Sequence, residues 1–251
     1  MKLHMACACH MGKVRSNNED NFYFAGRTLP EDNTALKRPR CHTAQSGIWP
    51  ETVAVFDGMG GEACGEMAAF AAARALRDLL QTAPDSDLGQ AVQVMNQAVC
   101  DQAKERRVGG TGCTMVLARF WGEAVELVNV GDSRGFLFRD GWLEQLSRDH
   151  TDEKLLKKLN ITSRKPRLTQ YLGSDAEEIP LEPYRVRREL EPGDVLVLCS
   201  DGLTDMVSPQ DLADRLGLGG SAKKLARDLL DMALANGGVD NTTIIVTVVG
   251  R

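Results

Sequence analysis

Acidic residues recur in this sequence at the ends of short apolar segments, beside glycine, serine or asparagine. Four such aspartates are Asp57 in VAVFDGMGG, Asp132 in LVNVGDS, Asp201 in LVLCSDG and Asp240 in VDNTT. A single Asp-Gly pair usually marks a turn, but repeated acids at the ends of core strands indicate a rigid site assembled from several strands. Two further acids, Glu19 and Asp20, lie in VRSNNEDNF, with Arg15 just upstream.

This set of carboxylates predicts a site for divalent cations. Like charges about 4 Å apart repel by on the order of 4 kcal/mol at an effective dielectric near 20. The sequence has no matching cluster of Lys or Arg beside the acids, so the compensating charge has to come from bound ions. The candidate ligands are all oxygens, which favours Mg²⁺ or Mn²⁺ over zinc. Gly58 and Gly202 leave room for carbonyls and waters to approach such ions.

Arg15 is the candidate phosphate-binding residue. Two divalent cations would bring four positive charges against four negative charges on the proposed ligands, Glu19, Asp57, Asp201 and Asp240. A site with almost no net charge would bind a phosphate dianion weakly unless a further cation took part. A guanidinium binds two phosphate oxygens at once. Taken alone, VRSNNEDNF also fits a solvated turn.

Composition excludes several classes of protein. The sequence has 251 residues, 43% hydrophobic and 26% charged, with a formal net charge of −5. The negative charge argues against a nucleic-acid partner. No apolar run approaches the roughly 18 residues of a membrane helix, and the N-terminus lacks the apolar core of a signal peptide. Seven scattered cysteines fit reduced thiols, so we expect a cytoplasmic protein.

The N-terminal residues Cys7, Cys9 and His10 resemble metal ligands only superficially. They have no matching second pair elsewhere in the sequence. The alternation in MACACHM is more typical of a strand in which cysteine acts as a small apolar residue.

The elements that must position the acids can be read from periodicity and turn signals. Apolar residues at helical spacing predict helices over 63–80 and 86–107. Ser208 and Pro209 predict the start of a third helix, and a fourth is expected over 222–235, ending at Asn236 and Gly237. Residues 242–249 predict a closing strand. Residues 27–51 lack any period and predict a long surface loop.

Residues 113–147 contain short β-type segments with tight connections, among them the hairpin signal Asp140-Gly141. Because parallel neighbours need a crossover of a dozen residues or more, these segments predict an antiparallel meander. Strands and helices occur in separate blocks, which favours an α+β fold with helices packed on sheets. Without a linker or internal repeat, residues 1–251 are predicted to form one domain.

Eight motifs occur in a fixed order: VRSNNED, VFDGMGG, GGTGCT, VGDSR, LSRDH, LTQYLG, CSDGLTD and DNTT. Together they resemble the metal-dependent protein phosphatase (PPM) family, also called protein phosphatase 2C, and in particular its compact bacterial serine/threonine phosphatases. The resemblance spans nearly the whole chain. It implies a sandwich of two antiparallel β-sheets flanked by pairs of α-helices, and a monomer acting on phosphorylated proteins, opposing a serine/threonine kinase.

The resemblance also implies individual roles. Asp57 would bridge two Mn²⁺ or Mg²⁺ ions, with Glu19 and the Gly58 carbonyl completing one metal site. Asp201 and Asp240 would bind the other metal, and Asp20 would act through a metal-bound water. Asp132 and Asp205, together with Asp201, would bind a weak third metal. Arg15 would bind the phosphate. The implied reaction is direct hydrolysis of phosphoserine or phosphothreonine by metal-activated water.

The sequence departs from the family at three places. Met59 stands where many relatives have a histidine proposed as general acid, which leaves protonation of the leaving group to water or another group. The flap between His150 and Thr169 is short, which weakens the case for a third metal, and the 27–51 segment is long. The flap residues 154–168 are basic, so they are either a solvated surface or an attractor for acidic phosphoproteins.

Two alternative functions remain at this point. The same chemistry could act on a small phosphoester. A non-catalytic phosphoprotein-binding scaffold is the other alternative, but such proteins usually lack a ligand acid, and here all four proposed ligands are present.

Overall fold

The computed structural model describes residues 1–47, 49–59, 64–174 and 180–250. Within these ranges the chain forms eleven strands. They are β1 (Lys2–His10), β2 (Asp20–Tyr23), β3 (Arg40–Gln45), β4 (Glu51–Met59), β5 (Gly112–Trp121), β6 (Ala124–Val130), β7 (Arg134–Arg139), β8 (Trp142–Gln145), β9 (Tyr184–Glu189), β10 (Val195–Cys199) and β11 (Thr242–Gly250).

The strands form two antiparallel sheets. The first has six strands in the order β3-β1-β11-β10-β7-β8, and the second has five in the order β2-β4-β5-β6-β9. Six helices accompany them in the described ranges. They are α1 (Gly65–Thr82), α2 (Leu88–Arg106), α3 (Glu153–Lys158), α4 (Asp201–Thr204), α5 (Pro209–Gly217) and α6 (Ala222–Ala235).

The sheets and helices stack in four layers, as the α+β sandwich prediction requires. An apolar layer between the sheets includes Phe22, Val55 and Leu198. Helices α1 and α2 pack on the five-stranded sheet through residues such as Leu76, and α5 and α6 pack on the six-stranded sheet around residues such as Leu229. No helix in the described ranges has the length and apolar character needed to cross a membrane.

Strand alternation carries polar residues to one end of the inter-sheet layer. Side chains two residues apart on a strand share a face. Val53 and Val55 of β4 belong to the inter-sheet core, so the next residue on that face is Asp57. On β2 the same rule leads from Phe22 back to Asp20, which pairs with Asp57. The carboxylates therefore lie where the apolar layer ends.

The four predicted helices are confirmed over the described residues, which exclude residue 63 of the first, and the predicted start of the third is confirmed as well. The Ser208 side chain caps α5 by accepting a hydrogen bond from the Asp211 backbone N–H at 3.2 Å, and Pro209 is the first helical residue. The hairpin between β7 and β8 is also confirmed. It turns at Asp140 and Gly141, both with positive φ, as a two-residue hairpin turn requires.

The predicted continuous meander over 113–147 is wrong. Strands β5 and β6 pair in the five-stranded sheet, whereas β7 and β8 pair in the six-stranded sheet. The connection at 131–133 therefore crosses from one sheet to the other. Gly131 adopts a φ of +96°, a conformation that favours glycine, and a Cβ there would lie 2.6 Å from the Thr114 side chain.

The prediction of a surface loop over 27–51 is also wrong in part. Strand β3 lies within it and pairs with β1 at the edge of the six-stranded sheet. Its residues alternate between intermediate and exposed positions, so it contributes little apolar signal to the sequence. The preceding segment folds back along β2 and β1, through hydrogen bonds from Leu29 N–H to Asn21 Oδ1 (2.9 Å) and from Leu36 N–H to Cys9 O (3.1 Å).

Candidate active site

Asp20 and Asp57 form the base of the acidic cluster, with Asp20 buried and Asp57 partly exposed. Asp20 is 1% exposed. Its Oδ2 accepts a hydrogen bond from Ser200 Oγ at 2.8 Å, while its Oδ1 has no hydrogen-bond partner among the described residues. Burial, followed by the charges of Asp201 and Asp240, raises the pKa of Asp20 to about 7, although hydrogen bonds from Ser200 and Thr243 lower it.

Asp57 is in direct contact with Asp201, the first residue of α4. Burial raises the pKa of Asp57 well above its usual range, and the charges of Asp201, Asp20 and other aspartates add to the effect. Burial also raises the pKa of Asp201 to about 7, opposed by a hydrogen bond from the Asp57 side chain. Two carboxyl groups this close mark a place where a cation would relieve their repulsion.

Glu19 lies beside two glycines that bring backbone close to its side chain. The Gly58 N–H donates to Glu19 O at 3.2 Å. A Cβ on Gly58 would overlap the Gly65 carbonyl, and a Cβ on Gly65 would lie 2.6 Å from Glu19 Oε2. Asn17 Nδ2 donates to Glu19 Oε1 at 3.1 Å. Burial raises the pKa of Glu19.

Arg15 is paired with one of the predicted metal ligands. Its Nη2 donates to Asp240 Oδ2 at 2.7 Å, and both side chains are partly exposed. This contact places the predicted phosphate-binding residue within reach of the acidic cluster. It also means that Asp240 already has a cation partner, which sequence reasoning did not foresee.

The predicted third-metal residues lie at the outer side of the cluster. Burial raises the pKa of Asp132, and the charge of Asp149 raises it further. Asp205 follows α4 and forms an ion pair with the flap residue Lys165, with Nζ and Oδ2 3.3 Å apart. The flap thus contacts the candidate site through Lys165.

The oxygen ligands of this cluster suit divalent cations, although the side chains do not converge on one point where an ion would bind. Within the described ranges, no three His, Cys, Asp or Glu side chains converge as a ready-made ion site. Asp240 is instead turned to Arg15, and Asp20 to Ser200. An added cation would give the unpartnered Oδ1 of Asp20 a ligand to bind and would relieve the repulsion between the neighbouring carboxyl groups of Asp57 and Asp201. The assignment of ligands therefore stays a prediction.

Sequence reasoning missed the residues that hold the acids in place. Asn241 Oδ1 accepts from Glu19 N–H at 2.7 Å, and its Nδ2 donates to Asn17 O at 2.9 Å. Ser200 Oγ accepts from Thr243 N–H at 2.9 Å while donating to Asp20. The sequence does carry a signal for them, because Ser200 and Asn241 belong to the motifs CSDGLTD and DNTT, beside the predicted ligands Asp201 and Asp240.

The N-terminal cysteines behave as core residues. Cys7 and Cys9 lie in β1, as the alternation predicted, and both are buried in the inter-sheet core. Burial raises the pKa of the Cys9 thiol to about 12, so it is not a thiolate at neutral pH.

The fold and the acidic end of its inter-sheet layer define an α-β-β-α sandwich with an oxygen-ligand site. The family profile of protein phosphatase 2C matches residues 33–234. The serine/threonine protein phosphatase PstP of Mycobacterium tuberculosis is 34% identical over 255 residues, covering 97% of this chain but 44% of PstP. The serine/threonine phosphatase stp of Listeria welshimeri is 31% identical over 261 residues, covering 97% of this chain and 95% of stp.

Among solved structures, the catalytic domain of PstP in complex with two manganese ions superposes with a TM-score of 0.78 at 31% identity, covering 100% of both chains. The chain belongs to the protein phosphatase 2C family. It spans less than half the length of the PstP protein it matches.

Proposed function

We propose that this chain is a metal-dependent phosphoprotein phosphatase that hydrolyses phosphoserine and phosphothreonine, and that residues 1–251 form one phosphatase domain. The observation that carries the proposal is that Asp20 and Asp57 stand opposite each other on β2 and β4, with Asp201 beside Asp57, at the end of the inter-sheet layer. Burying several carboxylates together without paired cations costs stability. Such an arrangement is retained where ions and an anionic substrate complete it.

Two Mn²⁺ or Mg²⁺ ions are the proposed cofactors, which fits the manganese complex of the PstP catalytic domain. Asp57 would contact both ions, with Glu19 and the Gly58 carbonyl at one and Asp201 and Asp240 at the other. Asp20 would act through an intervening water, and Asp132 and Asp205 would hold a weaker third ion. When bound, the ions would supply positive charge and an activated water for direct attack on phosphorus.

The chain's own residues orient the substrate and hold the ligands. The Arg15 guanidinium, half exposed, is free to exchange one carboxylate oxygen of Asp240 for the oxygens of a phosphate. Asn241 fixes the backbone of Glu19, and Ser200 fixes the carboxylate of Asp20. The cysteines need no catalytic role, since direct hydrolysis forms no covalent phosphoenzyme.

The physiological setting is part of the same proposal. The relatives named as serine/threonine phosphatases support a phosphoprotein substrate, and we place this chain as a cytoplasmic monomer that opposes a serine/threonine kinase. A small phosphoester substrate and a non-catalytic binding scaffold are the competing functions.

A turnover assay separates these three functions. Purified protein is given Mn²⁺ and either a phosphothreonine peptide or a small aryl phosphate, and released phosphate is measured alongside peptide binding. The proposal predicts turnover of the peptide that is lost in EDTA and restored by Mn²⁺. Turnover of the aryl phosphate alone would support the small-substrate function, and binding without turnover would support a scaffold.

A further inference from the structure

A groove beside helix α6 carries unpaired positive charge. It lies between α6 and the segment that precedes β3 and has a volume of about 280 Å³. Its charged lining comprises the cations Lys37, Arg38 and Arg227 and one acid, Asp231. Apolar side chains, among them Leu36 and Leu230, complete the lining. We call this surface the basic groove, defined by Lys37, Arg38 and Arg227.

The three cations of the basic groove are exposed and free. Within the part of the chain that the structure describes, none of their side chains has a hydrogen bond or ion pair. The flap differs in part. Lys157 pairs with Glu153, Arg164 with Asp152 and Lys165 with Asp205, whereas Lys154 and Lys158 have no such partner among the described residues. In a chain with a net charge of −5, three free cations around one groove are a local exception, and such a surface attracts negative charge.

A short stretch of chain connects the basic groove to the candidate active site. His10 lines the groove, and its Nδ1 accepts a hydrogen bond from Gly12 N–H at 2.9 Å. Gly12 packs so closely on the chain before β11 that a Cβ would lie 2.8 Å from Gly238 O and would overlap Asp240 O. Arg15 then pairs with Asp240. Arg15 lies five positions after His10 in the sequence, an interval that spans at most about 18 Å.

We propose that the basic groove binds an acidic segment of the substrate phosphoprotein, within about six residues of the phosphate that is removed. An extended peptide of six residues reaches about 20 Å, enough to join the groove to Arg15. The two guanidinium groups suit carboxylates through paired hydrogen bonds, and the apolar lining suits the aliphatic parts of Glu side chains. This inference rests on the proposed function and adds a substrate class to it.

The test compares two phosphothreonine peptides and a small aryl phosphate. One peptide carries a run of Asp and Glu three to six residues from the phosphothreonine, and the other carries Asn and Gln there. Wild-type protein is expected to favour the acidic peptide by about tenfold in kcat/KM at low salt, and by much less at 0.5 M salt, since exposed charges are screened beyond about 3–5 Å there.

Two triple variants remove the same charge from different places. Lys37→Ser, Arg38→Ser and Arg227→Ser together change the basic groove, and Lys154→Ser, Lys157→Ser and Lys158→Ser together change the flap helix α3. The groove variant is expected to lose the preference while turning over the aryl phosphate within twofold of wild type. The flap variant is expected to keep the preference for the acidic peptide. A groove variant that keeps the preference, or a flap variant that loses it, overturns the inference.

Peptide binding in EDTA tests the groove independently of turnover. Fluorescence anisotropy should show tighter binding of the acidic peptide to wild type and to the flap variant than to the groove variant. Equal binding of both peptides to wild type overturns the inference even if the protein is an active phosphatase. Absence of turnover with a retained binding preference counts against the proposed function only. The single variant Arg227→Ser serves if the triple variant does not fold.

Discussion

Asp20 and Asp57 stand directly opposite each other on the paired antiparallel strands β2 and β4, at the end of the layer between the sheets. Opposed residues on one face of such a pair are about 4.5–5.5 Å apart at Cβ, and like charges there are destabilising. Asp201 adds a third carboxyl group in hydrogen-bond contact with Asp57. Because these carboxyl groups repel each other when charged, the stability of the protein should depend on pH and on bound metal.

Metal-free protein should lose stability as pH rises. The pKa of Asp20 is about 7 in the folded state, above an unfolded value of about 3.9. A raised carboxyl pKa means that the folded state holds the proton more tightly than the unfolded state does. The stability that this proton contributes is therefore fully present below about pH 4 and is lost as the pH rises through about 7. In EDTA, the stability of wild type relative to Asp20→Asn should fall over this window by on the order of a few kcal/mol.

Saturating Mn²⁺ should remove this fall, because the ions bind only the folded state and replace the protons. Melting temperatures of both proteins between pH 4 and 8, with EDTA and with Mn²⁺, provide the measurement. A constant difference between wild type and Asp20→Asn across the window would show that Asp20 does not titrate there.

Gly58→Ala should destabilise the protein and weaken metal binding. The new Cβ would overlap the Gly65 carbonyl and lie 2.6 Å from Glu19 O, both of them backbone atoms. Forcing these segments apart should cost about 1–3 kcal/mol or more. Gly109→Ala is the matched control, because a Cβ there meets nothing within 4 Å. Equal melting temperatures for the two variants would contradict this account of the Gly58 contact.

Arg15→Ala should impair phosphate binding without weakening the metal ligands. Because Arg15 holds Asp240, its removal frees a carboxylate, so Mn²⁺ affinity should stay the same or rise. Loss of a charged hydrogen bond of about 1.5–3 kcal/mol predicts a fall in kcat/KM of about 10–100-fold. A rise in KM would indicate equal binding in the ground and transition states, and a fall in kcat alone would indicate action on the transition state. If neither kcat nor KM changes, Arg15 belongs to a solvated turn in VRSNNED and does not bind the phosphate.

Lys165→Ser should favour occupancy of the proposed weak third metal site. Lys165 holds Asp205 in an exposed ion pair, and such pairs contribute about 1 kcal/mol or less. Release of Asp205 should therefore lower the Mn²⁺ concentration for half-occupancy of that site by at most about fivefold. Lys157→Ser is the control, since Lys157 pairs with Glu153 instead. An equal shift in both variants would point to general charge rather than to this contact.

The sequence predicted elements with strong local signals. The helices α1, α2, α5 and α6 follow from apolar spacing and caps, and β11 follows from its run of apolar residues. The crossing between sheets at 131–133 was missed because a short connection normally joins neighbours in one sheet. Edge strand β3 was missed because an exposed edge strand needs no apolar pattern of its own.

Partners that lie far apart in the sequence were also beyond prediction. Arg15 and Asp240 are 225 residues apart, and nothing local to either residue indicates the pair. The flap looked uniformly basic because its compensating acids lie outside 154–168. Arg164 pairs with Asp152, two residues before this basic stretch, and Lys165 pairs with Asp205. The three cations of the basic groove, in contrast, are all unpaired among the described residues, and sequence reasoning did not single them out.

The most direct test of the metal-dependent site is Asp57→Asn, measured for Mn²⁺ stoichiometry by calorimetry and for phosphate release from a phosphothreonine peptide. The amide keeps the shape of the side chain but loses the charge, and folding is checked by the melting temperature in EDTA. We predict two tightly bound ions and turnover in wild type, and a folded Asp57→Asn variant that fails to bind both ions and has no measurable turnover. Near-wild-type turnover of Asp57→Asn, or full wild-type activity after exhaustive removal of metal, would contradict the site.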